Sequence, residues 1–585
     1  MKQNGMKKLS QYSFQYFKRD IISGITVGVI AIPLAMAFAI ASGVSPQYGL
    51  YTAAIAGILI SIFGGSKFQI GGPTGAFVPL LLGIVLTYGY EDLLIAGLLA
   101  GVMLVLMGVF KLGTLIKFMP RSVTVGFTAG IAVIIFSGQI SNFLGITDIE
   151  NHAGFLDNMI EIGSNLHQTS FYSVLTAIIC LVVILAAPKL VPKVPGSILG
   201  LIVSTLIASL FFPSQVATIG SVFGTIPSEL PSFHFPEITW EKIQYLIVPA
   251  FTIAALGGIE SLLSAVVADG MTNSKHNSNR ELIGQGIANI ATPLFGGIPA
   301  TGAIARTATN IKSGAASRIS GVIHGVLILL TLLLFAPYAS QIPLASMAPV
   351  LMIVAWNMSE GRQVANLIKL KNGDSLILLV TFFLTVFTTI TTAVMVGLIL
   401  ALILFAKRMG DLLVVSRVLP DHSKEEKTVE SYMVSDHRFC PQVEIYTIEG
   451  PLFFGAATVF EQRVMNSINH KPNVLILRMR EVPFMDATGV ANLSNIVSDF
   501  QKQGGTLLIS GSTDHVKEIL QTSGVYDQIG EEHFFDHTGE AIDFALTKLN
   551  YAQCEGCKHF AFEECIDLSK GKVPDFIEKE RLKTK

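Results

Sequence analysis

Residues Gly296–Arg306 read GGIPATGAIAR, and the fold turns on how this stretch is read. It lies among long apolar segments, yet Gly296, Gly297, Pro299 and Gly302 cannot belong to one uninterrupted helix without cost. Its one charge is Arg306. Far upstream Gly71–Ala76 reads GGPTGA, with Thr74 and Gly75 at its end, again between apolar runs. A short apolar segment follows each break, Phe77–Leu86 and the run from Ala303. Two interrupted apolar segments at matching places in two halves are the pattern of a transporter site built from half-helices. Free N–H groups and partial positive charge at half-helix N-termini favour an anion. Close helix packing through small residues would explain one such stretch, but explains less well a pair of them, one carrying an arginine.

The rest of the composition agrees with a membrane location. Of 585 residues, 51% are hydrophobic and 14% charged, against about 25% charged in soluble proteins, and the mean hydropathy is +0.58. Net charge is −2, which says little because the charges are segregated along the chain. Apolar segments are expected at about 20–43, 46–64, 73–87, 92–110, 119–140, 171–187, 195–212, 244–268, 282–296, 302–312, 316–336, 342–357, 374–390 and 391–407. Lys67, Lys117, Arg121, Lys189, Lys193, Lys275, Arg280, Lys312, Arg318, Arg362, Lys369 and Lys407 fall in every second loop, on the side of the basic leader 1–19. The alternate loops are neutral or acidic, as at Glu91-Asp92 and from Asp148 to Glu161, with Lys242 the exception. The positive-inside rule then places both termini in the cytoplasm and makes the number of spans even. Fourteen fits, as seven plus seven (20–213 and 240–408) around an outer loop. Each break falls in the third segment of its half, and seven is odd, so the repeats are inverted. A multi-pass protein of the cell inner or plasma membrane is expected, bathed in lipid, and no cleaved signal peptide is read.

After Lys407 the composition changes. Residues 409–440 read as a charged linker. From 441 to 550 strands (Val443–Glu449, Asn473–Met479, Thr506–Ser510) alternate with helices (Ala456–Ile468, Ala487–Gln503, His515–Ser523), so a small layered α/β domain is expected. Residues 551–585 form a tail with Cys554-x-x-Cys557, His559 and Cys565. That set could bind zinc, but free thiols are the ordinary state in the cytosol. No metal or other cofactor is expected, beyond a co-transported proton or sodium ion. Nothing suggests nucleic-acid binding.

Several longer stretches carry a resemblance. Asp20–Thr26, Ile32–Ala39, Ser45–Tyr51, Gly71–Thr74, Gly257–Ser264, His276–Leu282 and Gly296–Arg306 resemble the sulfate permease (SulP) family, bacterial relatives of solute carrier family 26. The C-terminal domain resembles a STAS domain, with Met485–Gly489 as its turn. The resemblance implies a polytopic α-helical fold of fourteen segments. Segments 1–4 and 8–11 would form a core sub-bundle, and 5–7 and 12–14 a gate. It also implies an elevator-like motion and a homodimer.

The resemblance further implies roles. Thr74, Gly302, Ala303 and Ile304 map onto pocket positions, as does the aromatic Phe38; Gly75 lies beside them, and Arg306 near the anion. A charge at membrane depth is costly and usually functional, and a guanidinium can offer paired donors to an oxyanion. Arg306 could alternatively snorkel beside Lys312. Glu260 lies deep in the eighth segment, where a carboxylate suits a coupling cation better than an anion. Sodium-coupled bicarbonate members of the family have an aspartate there and a hydroxyl residue four positions on, here Ser264; proton-coupled plant members have glutamate. Sodium-binding relatives carry threonine where this chain has Ile304. Asp486 and Thr488 resemble the phosphorylatable turn of soluble STAS proteins, but Ala487 replaces one hydroxyl residue, which favours docking of a cytosolic protein or dimerisation.

The expected function is therefore secondary transport of a small inorganic oxyanion, sulfate first, by proton symport. Sodium-coupled bicarbonate or C4-dicarboxylate transport is the alternative, or an uncoupled channel or exchanger regulated by the STAS domain. An enzyme is not expected, because no nucleophile–base set or nucleotide loop stands out.

Overall fold

The computed structural model describes residues 13–574, apart from 115–118, 147–148, 151, 153, 192–193, 421–428, 431–432, 436–437, 457–459 and 465–471. Most of the basic leader, Lys117, Asp148, Lys193 and much of the helix expected at 456–468 lie outside the described residues. The chain divides into two compact units, 1–401 and 402–585.

The first part is helical, and among the described residues its helices include α1 (Phe14–Ala41), α2 (Pro46–Phe63), α3 (Val78–Tyr88), α4 (Tyr90–Val109), α5 (Arg121–Gly138), α6 (Phe171–Leu190), α7 (Gly196–Phe211), α8 (Trp240–Thr272), α9 (Ser278–Ala291), α10 (Ile304–Lys312), α11 (Ile319–Ala339), α12 (Leu344–Met358) and α13 (Gly373–Phe387), with α14 (Ile390–Asp411) leading out of it. Among the described residues eight helices are long and apolar enough to cross a bilayer by themselves; α3, α7 and α13 are shorter apolar helices. Their outward faces carry large apolar side chains that no protein covers, such as Val182, Leu185, Leu210, Leu334 and Ile403. Such faces are stable in lipid, where they cost nothing.

Packing sorts the helices. In one group α1, α2, α4, α8, α9 and α11 pack on one another, with α10 on α8; in the other α5, α6, α7, α12 and α13 do so. For these helices the grouping follows the expected core and gate sets; α3 contacts α1, α4 and α5. Glycine permits the close packing of α4 on α9. A Cβ built on Gly286 of α9 would lie 2.6 Å from the Gly101 carbonyl oxygen of α4, and one on Gly101 would lie 2.6 Å from the Ile290 nitrogen. The helix expected at 282–296 ends at Ala291, because Pro293–Phe295 tightens into a 3₁₀ turn and Gly296 follows with φ +72°. The acidic stretch between α5 and α6 holds an amphipathic helix, Phe155–Ser164, that composition did not suggest.

The second part is α/β. Its strands are β3 (Val414–Arg417), β4 (Leu419–Pro420), β5 (Val429–Glu430), β6 (Val443–Glu449), β7 (Val474–Glu481), β8 (Thr506–Ser510) and β9 (Phe534–Phe535), following two membrane strands, β1 (Gly71–Gly72) and β2 (Thr301–Gly302). The sheet order is β3-β6-β7-β8-β9, with only the β3–β6 pair antiparallel. Both faces are covered, which is why Val474–Leu477 is apolar without alternation. Leu475 and Leu477 join helices α15 (Ala487–Lys502) and α16 (Asp514–Thr522) on one face; Val474 and Ile476 join α17 (Thr538–Thr547) on the other. The stretch 409–440 is therefore structured at its β3, β4 and β5 strands. The tail also packs: Ala561, Phe562 and Leu568 are buried in the second core.

Overpacking a tight contact costs about 1–3 kcal/mol, and at Gly286 the obstacle is backbone. Gly286→Val is expected to lower the thermal midpoint of the detergent-solubilised protein by several degrees, read by size-exclusion after heating. An unchanged midpoint would show that α4 and α9 are not in close contact.

Candidate anion site

Broken helices at membrane depth leave backbone groups that lipid cannot satisfy. Here the groups in and beside the two breaks find protein partners up to the start of α10. β1 and β2 pair antiparallel, Gly71 opposite Gly302 and Gly72 opposite Thr301. The Ala303 N–H donates to the Ile70 carbonyl at 2.9 Å, and the Ile70 N–H to Thr307 Oγ1 at 3.0 Å. Asn289 holds Ala300 at both ends, accepting from its N–H and donating to its carbonyl, each at 2.8 Å. Thr52 Oγ1 accepts from the Ile298 N–H at 2.8 Å. The two broken segments are thus joined to each other and to neighbouring helices.

From this crossing a 3₁₀ turn, Gly75–Phe77, leads into α3, and α10 starts at Ile304. The Ile304, Ala305 and Arg306 N–H groups, in the first turn of α10, have no partner among the described residues. Glu260, half-buried on α8, accepts from Thr74 Oγ1 at 3.0 Å. Arg306 is 3% exposed, and its Nη2 donates to the Pro73 carbonyl. The acid and the arginine therefore hold adjacent residues of one loop, and no ion pair between them is found among the described residues. Arg306 Nη1 is buried with no partner among the described residues. It lies against Gly72, where a Cβ would come within 2.6 Å of it. Gly72 also has φ +149°, so it must be glycine for two separate reasons.

Not every expected residue faces the same space. Phe38 stands beside Gly75, 3.3 Å from where a side chain there would begin, with Ile135 at the same distance and Met358 nearer. Ser264 is fully buried behind the crossing and donates to Thr307 Oγ1 at 3.2 Å. The N–H groups of Gly302 and Ala303, expected to be free for a ligand, are occupied by Ser261 Oγ (3.2 Å) and Ile70. The free donors start one residue later, at Ile304. Asp486 caps α15, accepting from the Gly489 N–H at 2.9 Å and the Phe454 N–H at 3.0 Å, while Thr488 is exposed. Asn289, Thr52 and Ser261 were not singled out from sequence, although an amide such as Asn289 inside an apolar segment is itself a signal.

A cavity of about 1130 Å³ lies between the two helix groups, walled by α3, the end of α5, the start of α8 and the Thr385–Thr392 turn. Val78, at the start of α3, and Ile135, beside Gly75, line it, whereas Thr74, Gly75, Glu260 and Arg306 do not.

Comparison with known proteins accounts for this architecture. The model of the sulfate permease family matches residues 17–381, and that of the STAS domain residues 437–541. The chain belongs to the sulfate permease family. It is a membrane anion transporter and not an enzyme. It is 56% identical to the candidate sulfate transporter YvdB of Bacillus subtilis, over 90% of this chain and 98% of that protein. It is 28% identical to the bicarbonate transporter BicA of Picosynechococcus, over 92% and 97%. Its fold matches murine solute carrier 26 family member A9 in the inward-facing state, with TM-score 0.83 over 92% and 93% of the chains at 19% identity. The hydrogen-bond chain Ser278–His276–Asp269 (3.0 and 2.7 Å) is accordingly a tie across the α8–α9 turn of this transporter.

Hydrogen bonds to charged groups are worth about 1.5–3 kcal/mol, so Arg306→Ala is expected to lower anion uptake about 10- to 100-fold. The protein should still fold and insert, because the β1–β2 pair and the Asn289 clamp do not use the guanidinium. Uptake by reconstituted protein, normalised to folded protein, is the check.

Proposed function

We propose that this transporter carries a small divalent oxyanion, sulfate in first place, by symport with a proton. The reading rests on Arg306: a buried guanidinium with one donor unpartnered, beside the unpaired N–H groups of a half-helix. An oxyanion supplies the acceptors that these donors lack. The likeness to YvdB supports sulfate.

Glu260 supplies the coupling. Its hydrogen bond to Thr74 fixes it beside the same loop that Arg306 grips. As a carboxylate it repels an incoming anion; protonated, it does not. Protonation therefore tightens anion binding, and the coupling is reciprocal. Anion and proton then travel together as the core group (α1–α4, α8–α11) shifts past the gate group (α5–α7, α12–α14) in an elevator-like step. The cavity along α3 serves as one route to the site. Homodimers in the membrane, both termini in the cytoplasm, and a STAS domain that docks a partner complete the proposal. Bicarbonate is the second reading, supported by the likeness to BicA; sodium coupling is disfavoured by Ile304.

Proteoliposome uptake of labelled sulfate, bicarbonate and a C4-dicarboxylate, with and without an inward proton gradient, tests this. Sulfate accumulation is expected to follow the proton gradient and ignore sodium; strict dependence on sodium would overturn proton coupling. Glu260→Gln, which mimics the protonated acid, is expected to keep sulfate exchange but lose gradient-driven accumulation. Full accumulation by this variant would mean that the proton travels elsewhere. Removing residues 421–585 is expected to lower yield or rate while leaving the order of preference among anions unchanged, because every proposed site residue precedes α14.

A further inference from the structure

The C-terminal domain gathers thiols that are far apart in sequence. Cys440, just before β6, lines one small cavity together with Cys554, Cys557 and Cys565 of the tail. Four of the five cysteines of the chain thus meet at one place, and all are free thiols. The cavity measures about 20 Å³, space for about one water-sized particle. Phe439, Leu549 and Phe560 form apolar walls.

The local backbone suits a metal. Cys554-Glu555-Gly556-Cys557 is a tight turn: the Cys557 N–H donates to the Cys554 carbonyl at 3.1 Å, and Gly556 has φ +75°. This brings two cysteines of Cys-x-x-Cys spacing to one side, the commonest half of a structural zinc site. Cys565 starts a short helix, Cys565–Leu568, and the Gly556 N–H donates to the carbonyl of Ser569 just beyond it at 3.0 Å. Gln442 ties the tail to β6, since its Nε2 donates to Cys554 Sγ at 3.3 Å and its Oε1 accepts from the Asn550 N–H at 2.7 Å. His559 does not line this cavity; its ring packs on Phe439, 4.1 Å away. The fourth position therefore falls to Cys440 and not to the histidine of the tail.

We propose that Cys440, Cys554, Cys557 and Cys565 bind a single zinc ion that fastens the tail to the STAS core. Among the described residues no three His, Cys, Asp or Glu side chains stand close enough together to hold a metal ion as they are, so binding requires the thiols to turn into the cavity, to about 2.3 Å from the ion. Burial pushes the Cys440 thiol up to about 12 and raises those of Cys554 and Cys565. Without a cation these thiols stay protonated and inert. Zinc displaces their protons to solvent and neutralises the thiolates where they lie. Binding free energy of this kind adds directly to folding free energy.

The test uses the full-length protein purified in detergent under reducing conditions. Elemental analysis is expected to find about one zinc per chain, as a four-thiolate site requires. Cobalt exchanged into the wild type should show intense sulfur-to-cobalt charge-transfer bands with tetrahedral ligand-field bands. Cys440→Ser and Cys557→Ser should each lose zinc, whereas His559→Ala should keep it. Wild type without zinc, an iron chromophore, or a disulfide found by mass spectrometry would overturn the proposal. So would zinc retained by Cys440→Ser and lost by His559→Ala. If the serine variants fail to fold, the zinc content and cobalt spectrum of the wild type still decide. None of these readouts depends on which anion is transported.

Discussion

Everything in the membrane part depends on one constraint: a polypeptide cannot leave amide groups unpaired in hydrocarbon. Two helices are interrupted at the same depth, and interruption is tolerable only because each exposed strand meets the other. β1 and β2 are two residues each, yet their pairing satisfies backbone groups at both breaks at once. Glycine is obligatory at Gly72, where the backbone is left-handed and the guanidinium presses on it. The remaining amides are taken up by Asn289, Thr52, Ser261 and Thr307, side chains that cost the membrane little once they are paired. What is left over after this pairing is chemically useful. The start of α10 and one nitrogen of Arg306 are donors without acceptors, which is the complement of an oxyanion.

Much of this was legible from local text. Gly296–Arg306 and Gly71–Ala76 announce themselves by placing glycine and proline inside apolar runs, and Glu260 by being an acid inside one. The pairing of β1 with β2 was not legible, since two-residue strands have no periodicity. For the same reason the N–H groups of Gly302 and Ala303 looked free when they are engaged. Ser264 looked like a ligand from its spacing to Glu260, but the helix turns it toward Thr307. Whether a hydroxyl faces a site or a neighbour is decided by tertiary contacts, not by spacing.

In the soluble part, composition misled in an instructive way. Charged residues made 409–440 look like a linker, yet β3 is an edge strand of the sheet, and edge strands are commonly charged. The tail looked separate because its apolar residues are few. Phe562 and Leu568 nevertheless bury fully against the sheet. Cys440 gave no signal at all, being more than a hundred residues from the cysteines it meets.

The long sequence separations in the membrane part set a clock on its assembly. The Arg306 contact to Pro73 spans 233 residues, and that of Asp20 to Ser317 spans 297. At about 5–20 residues per second, the ribosome needs roughly 10–60 s to supply those partners. Throughout that interval the first half exists as a nascent intermediate whose glycine strand has nothing to pair with. Its amides must be sheltered by the insertion machinery or by water held at the protein–lipid boundary. A pause or truncation between the two halves would leave a species that the cell's quality-control proteases can recognise by that unpaired strand alone.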